Sequence, residues 1–122
     1  SELEKVLKGR TKRLSRELAG LIFANKRDLD VVAPGEGVGL FSVLLPVTDV
    51  EGAMTFARKV QRSVLARISV KTKKTVLRPT ASFGISVASE HSDSVEHLKE
   101  LASSALQQAK ERGPGSVKVQ LQ

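Results

Sequence analysis

Apolar residues return at helical spacing over the first part of the chain. Leu14, Leu18, Leu21 and Ile22 form one stripe, and Lys12, Arg13 and Arg16 fall off it. This predicts an amphipathic helix from Leu3 to about Asn25. Gly9 is expected to separate a leading turn from the main helix. Two strands are expected next, Val31 to Ala33 and Leu40 to Leu45, joined by the turn formers Pro34-Gly35-Glu36-Gly37. The second strand is almost wholly apolar, the pattern of a strand covered on both faces.

Thr48-Asp49-Val50-Glu51 has the Ser/Thr-x-x-Glu form of a capping box. The helix it opens has Ala53, Phe56, Ala57, Val60 and Val64 on one face. Lys71-Thr72-Lys73-Lys74 reads as a basic connection. From Thr80 to Ala88 the residues alternate. Ala81, Phe83, Ile85 and Val87 form one face, and the small residues Thr80, Ser82, Gly84 and Ser86 suit close packing by a helix on the other. Asp93 or Ser94 can cap a third helix to about Arg112, with Val95, Leu98, Ala102, Ala105 and Ala109 inward. Gly113-Pro114 stops it, and Val117, Val119 and Leu121 alternate as a last strand. The order helix, hairpin, helix, strand, helix, strand implies an α/β plait with helices on a mostly antiparallel sheet.

The 122 residues fit one domain, 1–122. No run is apolar enough to span a membrane. With no cysteine, thiol chemistry is excluded, and His91 and His97 are too few for a histidine zinc site. Neither a metal nor a cofactor is expected. The net charge of +7 favours anionic partners. Single-stranded nucleic acid fits poorly, because Tyr and Trp are absent and Phe23, Phe41, Phe56 and Phe83 all fall in apolar patterns.

Several of these segments, in this order, resemble the GGDEF domain, the diguanylate cyclase domain. Arg27-Asp28-Leu29-Asp30 resembles its inhibitory site, and Phe41 to Pro46 the strand leaving its signature. Thr80-Ala81-Ser82-Phe83-Gly84-Ile85-Ser86 is similar to its T-V-S-I-G-V strand. Leu101-Ala102, Ala105-Leu106, Ala109-Lys110 and Gly113 are similar to its closing helix. Where the family has Gly-Gly-Asp/Glu-Glu-Phe, this chain has Gly37-Val38-Gly39-Leu40-Phe41. The resemblance implies a cation-binding carboxylate at Gly39 and a Glu at Leu40, and neither is present. Upstream of Leu14 nothing matches the D-x-D-x-F-K strand. Ser103, Gln107 and Pro114 also depart from the family pattern, whereas Lys110 keeps it. The chain is therefore expected not to be an enzyme.

In the family, an Arg and an Asp one turn apart grip a guanine of cyclic di-GMP. An arginine fork matches the acceptor edge, and a carboxylate accepts from guanine N–H groups. The resemblance places Arg27 and Asp30 in those roles, with Lys59, flanked by Arg58 and Arg62, as a further basic contribution. The expected function is a non-catalytic cyclic di-GMP receptor. The domain would be cytoplasmic and bacterial, near the C-terminal end of a larger regulatory protein, with that protein's other domains as partners. A homodimer is compatible, and neither nucleic acid nor membrane is an expected partner. The alternative is a dimerisation or docking domain that has lost nucleotide binding, because Arg-x-x-Asp is common and a surface pair is often merely solvated. With the D-x-D strand missing, an empty central slot would leave buried backbone groups unpaired, so residues 40–45 are expected to pair directly with residues 80–88, the alternative being that another chain or an omitted segment fills the gap.

Overall fold

The computed structural model describes residues 2–71, 73–74, 76–88 and 94–120, with residues 2–8 and Leu77 described by backbone alone. Its elements run α1 (Glu2–Asn25), β1 (Val31–Pro34), β2 (Phe41–Leu44), α2 (Val50–Arg67), β3 (Val70–Lys71), β4 (Val76–Leu77), β5 (Phe83–Ser86), α3 (Val95–Arg112) and β6 (Val117–Gln120). The chain divides into two compact units, Ser1–Pro46 and Val47–Gln122. Thr72, His91, Asp93 and Leu121 lie outside the described residues.

In the first unit α1 runs unbroken through Gly9, so the expected leading turn is absent. Among its described side chains Ile22 is buried. Phe23 is exposed, with the Lys26 ammonium 5.5 Å from its ring centroid. Its place in an apolar run thus did not mean burial. Strands β1 and β2 pair antiparallel, with Val31 opposite Leu44 and Pro34 opposite Phe41. Pro34 is tolerated in so short a two-stranded pair, where one strand side needs no donor. Leu44 is exposed, so β2 is covered less fully than its apolar composition suggested.

The second unit is built around a parallel pair, β5 with β6, in the register Phe83 to Val117 and Ile85 to Val119. Parallel neighbours need a long crossover, and α3 supplies it. Helix α3 packs over both strands, and α2 also touches both. The core consists of Ala57, Val60 and Val64 of α2, with Ile68, Ile85, Ala105 and Ala109. Val95, expected inward, is exposed at the first turn of α3, where a helix end has little to pack against. Asp49, rather than Thr48, is the N-cap of α2, and its carboxylate accepts from Gly52 N at 2.8 Å. Ser94 caps α3, accepting from His97 N. Gly113 ends it at φ 127°, a conformation that favours glycine.

The described strands form three two-stranded sheets, β1–β2, β3–β4 and β5–β6. Direct pairing of residues 40–45 with residues 80–88 is thus not seen among the described residues. Each of these strands instead pairs with a partner in its own unit. The antiparallel β3–β4 pair lies where the sequence shows a basic connection, since two-residue strands leave no periodicity.

The small face of β5 has its cause in Gly84. A Cβ there would collide with Ala102 O and Leu106 N, both backbone atoms of α3. Ser86 Oγ donates to Leu98 O at 2.6 Å on the same face. Gly84→Ala is expected to destabilise the fold by about 3 kcal/mol, because backbone cannot move aside as a flexible side chain can. Gly20→Ala, at an exposed α1 site with nothing within 4 Å, should stabilise by about 1 kcal/mol. Urea unfolding of both variants measures these opposite signs.

Candidate functional site

Helix α1 ends where Asn25 folds its side-chain amide back to Leu21 O at 2.8 Å. The chain then turns over residues 27–30, closed by Asp30 N donating to Arg27 O. The Asp30 carboxylate points back into this turn and accepts from Arg27 N at 2.8 Å. It also accepts from the Arg27 side chain, with Nε 3.1 Å from Oδ1 and 3.2 Å from Oδ2, and Nη2 2.8 Å from Oδ1. Nη2 reaches further, to Pro46 O at 2.7 Å. One side chain therefore ties the entry of β1 to the residues just after β2.

The pair is asymmetric in exposure. The Asp30 side chain is 2% exposed and that of Arg27 48%. A carboxylate so buried must be neutralised or paired, and Arg27 pairs it. The guanidinium hydrogen bond, opposed by burial, holds the Asp30 carboxyl below the usual carboxylate range. The same hydrogen bond raises the Arg27 pKa. The Arg-x-x-Asp spacing places these two side chains in contact. It gave no sign that Asp30 would be buried or that Pro46 would be a third member.

The turn between β1 and β2 holds Gly37-Val38-Gly39-Leu40. Gly35 N donates to Leu40 O at 2.6 Å and Leu40 N to Gly37 O at 3.2 Å. Gly39 adopts φ 77°, which explains a glycine there. Its N–H donates to Ser15 Oγ on α1 at 2.9 Å, an anchor that the sequence did not announce. The acid nearest the turn tip is the exposed Glu36. Among the described residues, no group of three His, Cys, Asp or Glu could hold a metal ion. No helix there is long and apolar enough to cross a membrane.

In the second unit Arg58, Lys59 and Arg62 are all exposed on α2. Arg58 and Arg62 line an open depression with Thr55, Gln61 and Leu65, and Lys59 is not in its lining. The two arginines are four positions apart, which puts them on one helix face, while Lys59 faces aside. Gln61 is committed to structure. Its Nε2 donates to Ala81 O and Gly115 O, both at 2.9 Å, joining the approaches to β5 and β6.

Residues 11–116 match the family model described as "Diguanylate cyclase, GGDEF domain". Among solved structures, the chain is similar to an EAL/GGDEF domain protein from M. capsulatus. That match has 25% identity and a TM-score of 0.70, covering 88% of this chain and 68% of the other. It is also similar to the active GGEEF domain of a diguanylate cyclase from Vibrio cholerae. Here the identity is 18% and the TM-score 0.76, over 90% of this chain and 68% of that one, and the likeness speaks for the fold. A third likeness is to the diguanylate cyclase SiaD, solved in complex with its activator SiaC from Pseudomonas aeruginosa. Its identity is 25% and its TM-score 0.72, over 84% of this chain and 38% of that one.

The Asp30 pairing has a pH signature. Its folded pKa lies below the ordinary value of 3.8, so its contribution is complete above that value. The contribution is lost as the pH falls from there through the folded pKa, where the native carboxylate also takes a proton. The stability gap between wild type and Asp30→Asn should be constant from pH 7 to 5 and should shrink at lower pH. Urea unfolding of both proteins against pH measures it, and a gap that widens on acidification contradicts this assignment.

Proposed function

The chain belongs to the GGDEF family, and on that premise we propose a degenerate member, a regulatory domain that binds cyclic di-GMP and does not make it. The observation that carries the reading is a contrast between two places in the first unit. At Arg27 and Asp30 a half-exposed guanidinium is oriented by a buried carboxylate. Such a pair presents charge-assisted donors in fixed geometry, which suits the acceptor edge of a guanine. The turn over residues 37–41, by contrast, has no side-chain carboxylate. Cations that would carry a nucleoside triphosphate do not fit Gly39 and Leu40, which have no anionic oxygen to offer.

Members of this family are diguanylate cyclases or domains built on them, and their nucleotide chemistry is the natural source of ligands. Arg58, Lys59 and Arg62 supply additional positive charge on α2. In this proposal they add a general attraction for anions and are not assigned to reading the base, since a lysine ammonium is only a point charge. The domain thus acts as a receptor in the bacterial cytoplasm, within a larger regulatory protein whose other domains receive the signal.

A second reading has its own support. Val31 and Leu44 are directly opposed and both exposed, with Leu29 and Phe23 also exposed in the same unit. Exposed apolar side chains of this kind suit a protein partner, and the relative SiaD was solved with a protein activator. In that reading Arg27 and Asp30 serve the hairpin alone, and the domain docks without nucleotide.

Two measurements decide between them. Incubated with GTP and magnesium or manganese, the purified protein is expected to form no cyclic di-GMP, and product in proportion to protein would refute the non-catalytic reading. Calorimetric titration should show saturable binding of cyclic di-GMP. Arg27→Ala and Asp30→Asn should each weaken it by roughly thirtyfold. Substitutions of Arg58, Lys59 or Arg62 should weaken it less and in a salt-dependent way. No binding at high micromolar ligand, with a normal melting curve, favours the docking reading.

A further inference from the structure

From Gly52 to Ser89 the chain has no Asp or Glu and eight Lys or Arg, and all eight are exposed. A solvated surface ordinarily mixes both signs. Arg58 and Arg62, one turn apart on α2, oppose each other, because like charges at that spacing destabilise a helix. One sign sustained over α2 and the β3–β4 pair gives the second unit an anion-attracting surface.

Apolar side chains lie within this surface. Leu65 is 56% exposed and lines the open depression with Arg58 and Arg62. Arg78 Nη1 donates to Leu65 O at 3.0 Å, which brings the chain leaving β4 against the same part of α2. On the β3–β4 pair, Val76 stands opposite Lys71, and opposed residues share one face of a two-stranded pair. Val76 is 51% exposed, and Lys71 is exposed beside it. Each aliphatic side chain is thus bordered by cations and open to water.

We propose that this surface of the second unit adsorbs to an anionic phospholipid bilayer, with Leu65 and Val76 entering the headgroup region and the surrounding cations facing lipid phosphates. A nucleic acid would use the cations alone. Bases stack on aromatic rings, and the unit's Phe56 and Phe83 are not exposed. An aliphatic side chain gains nothing from a phosphate backbone, whereas in the interface it leaves water. The lysines fit the same partner. Lys71 and Lys73 carry hydrated point charges without a directional fork, which suits the diffuse charge of many headgroups. The proposal goes beyond the cyclic di-GMP reading and does not require it.

The test is co-sedimentation of the full chain with vesicles of phosphatidylcholine alone and of phosphatidylcholine with phosphatidylglycerol in equal parts, without nucleotide. Binding is expected to the anionic vesicles only, and to weaken with salt. The double variant Lys71→Gln, Lys73→Gln should bind roughly twentyfold less well, about fivefold per charge, while Lys99→Gln on α3 changes binding far less. The chain has no cysteine, so Leu65→Cys and Val76→Cys each take one polarity-sensitive dye. Its emission should shift to the blue on anionic vesicles, and a dye on Ser103→Cys, exposed on α3, should not respond. The proposal is overturned if anionic vesicles are not bound at low salt, if Lys99→Gln costs as much per charge, or if the dyes at residues 65 and 76 stay in water on bound protein. Binding to a random DNA duplex or to polyglutamate, with none to either vesicle, also overturns it and assigns the surface to another polyanion. None of these failures touches the receptor reading, which the cyclic di-GMP titration decides.

Discussion

A buried carboxylate needs a cation, and in the first unit that requirement organises everything around residues 27–30. Asp30 is buried, so Arg27 must stay beside it, and the turn after α1 closes around the pair. Nη2 then has one hydrogen left over, and it finds Pro46 O. The entry of β1 and the exit of β2 are thereby joined at the open end of the hairpin. A two-stranded hairpin is marginal by itself in water, and this junction, with the Ser15 anchor on Gly39 at the turn, restrains it at both ends.

That organisation bears on how a binding motif should be judged. Arg-x-x-Asp with a buried acid differs from a pair of solvated surface charges, whose mutual attraction is small. The buried pairing keeps the guanidinium in one orientation, which is the preorganisation a ligand would use. It also gives both residues a structural duty. Loss of ligand affinity in a variant therefore has to be read beside its stability, since the same contacts serve both.

The second unit rests on a different constraint, the close approach of α3 to β5. Glycine at residue 84 lets the helix backbone sit against the strand, and Ala105 and Ala109 keep the rest of that interface narrow. Helix α2 covers the unit with Ala57, Val60 and Val64. Its other face is left polar and basic, and that is where Arg58 and Arg62 line an open depression. The charge on this face is thus a by-product of which side of α2 the core requires, and its availability to an anion follows from that.

Three helices, their caps and stops, the β1–β2 hairpin and the strand carrying Gly84 were legible along the chain, because each is specified by local spacing. Apolar period, a capping Asp or Ser, and a Gly-Pro stop act within a few residues of one another. So were Arg27 and Asp30 as a pair, since three residues of separation in a tight turn leaves them little room to part. Partnerships across distance were not legible. The parallel pairing of β5 with β6, the N-cap falling on Asp49 rather than Thr48, the exposure of Phe23 and Val95, and the reach of Arg27 to Pro46 all depend on what the rest of the chain places nearby. Burial of Asp30 belongs with them. A charge is carried by the residue, but whether it is hidden from water, and what then must pair with it, is decided only when the fold surrounds it.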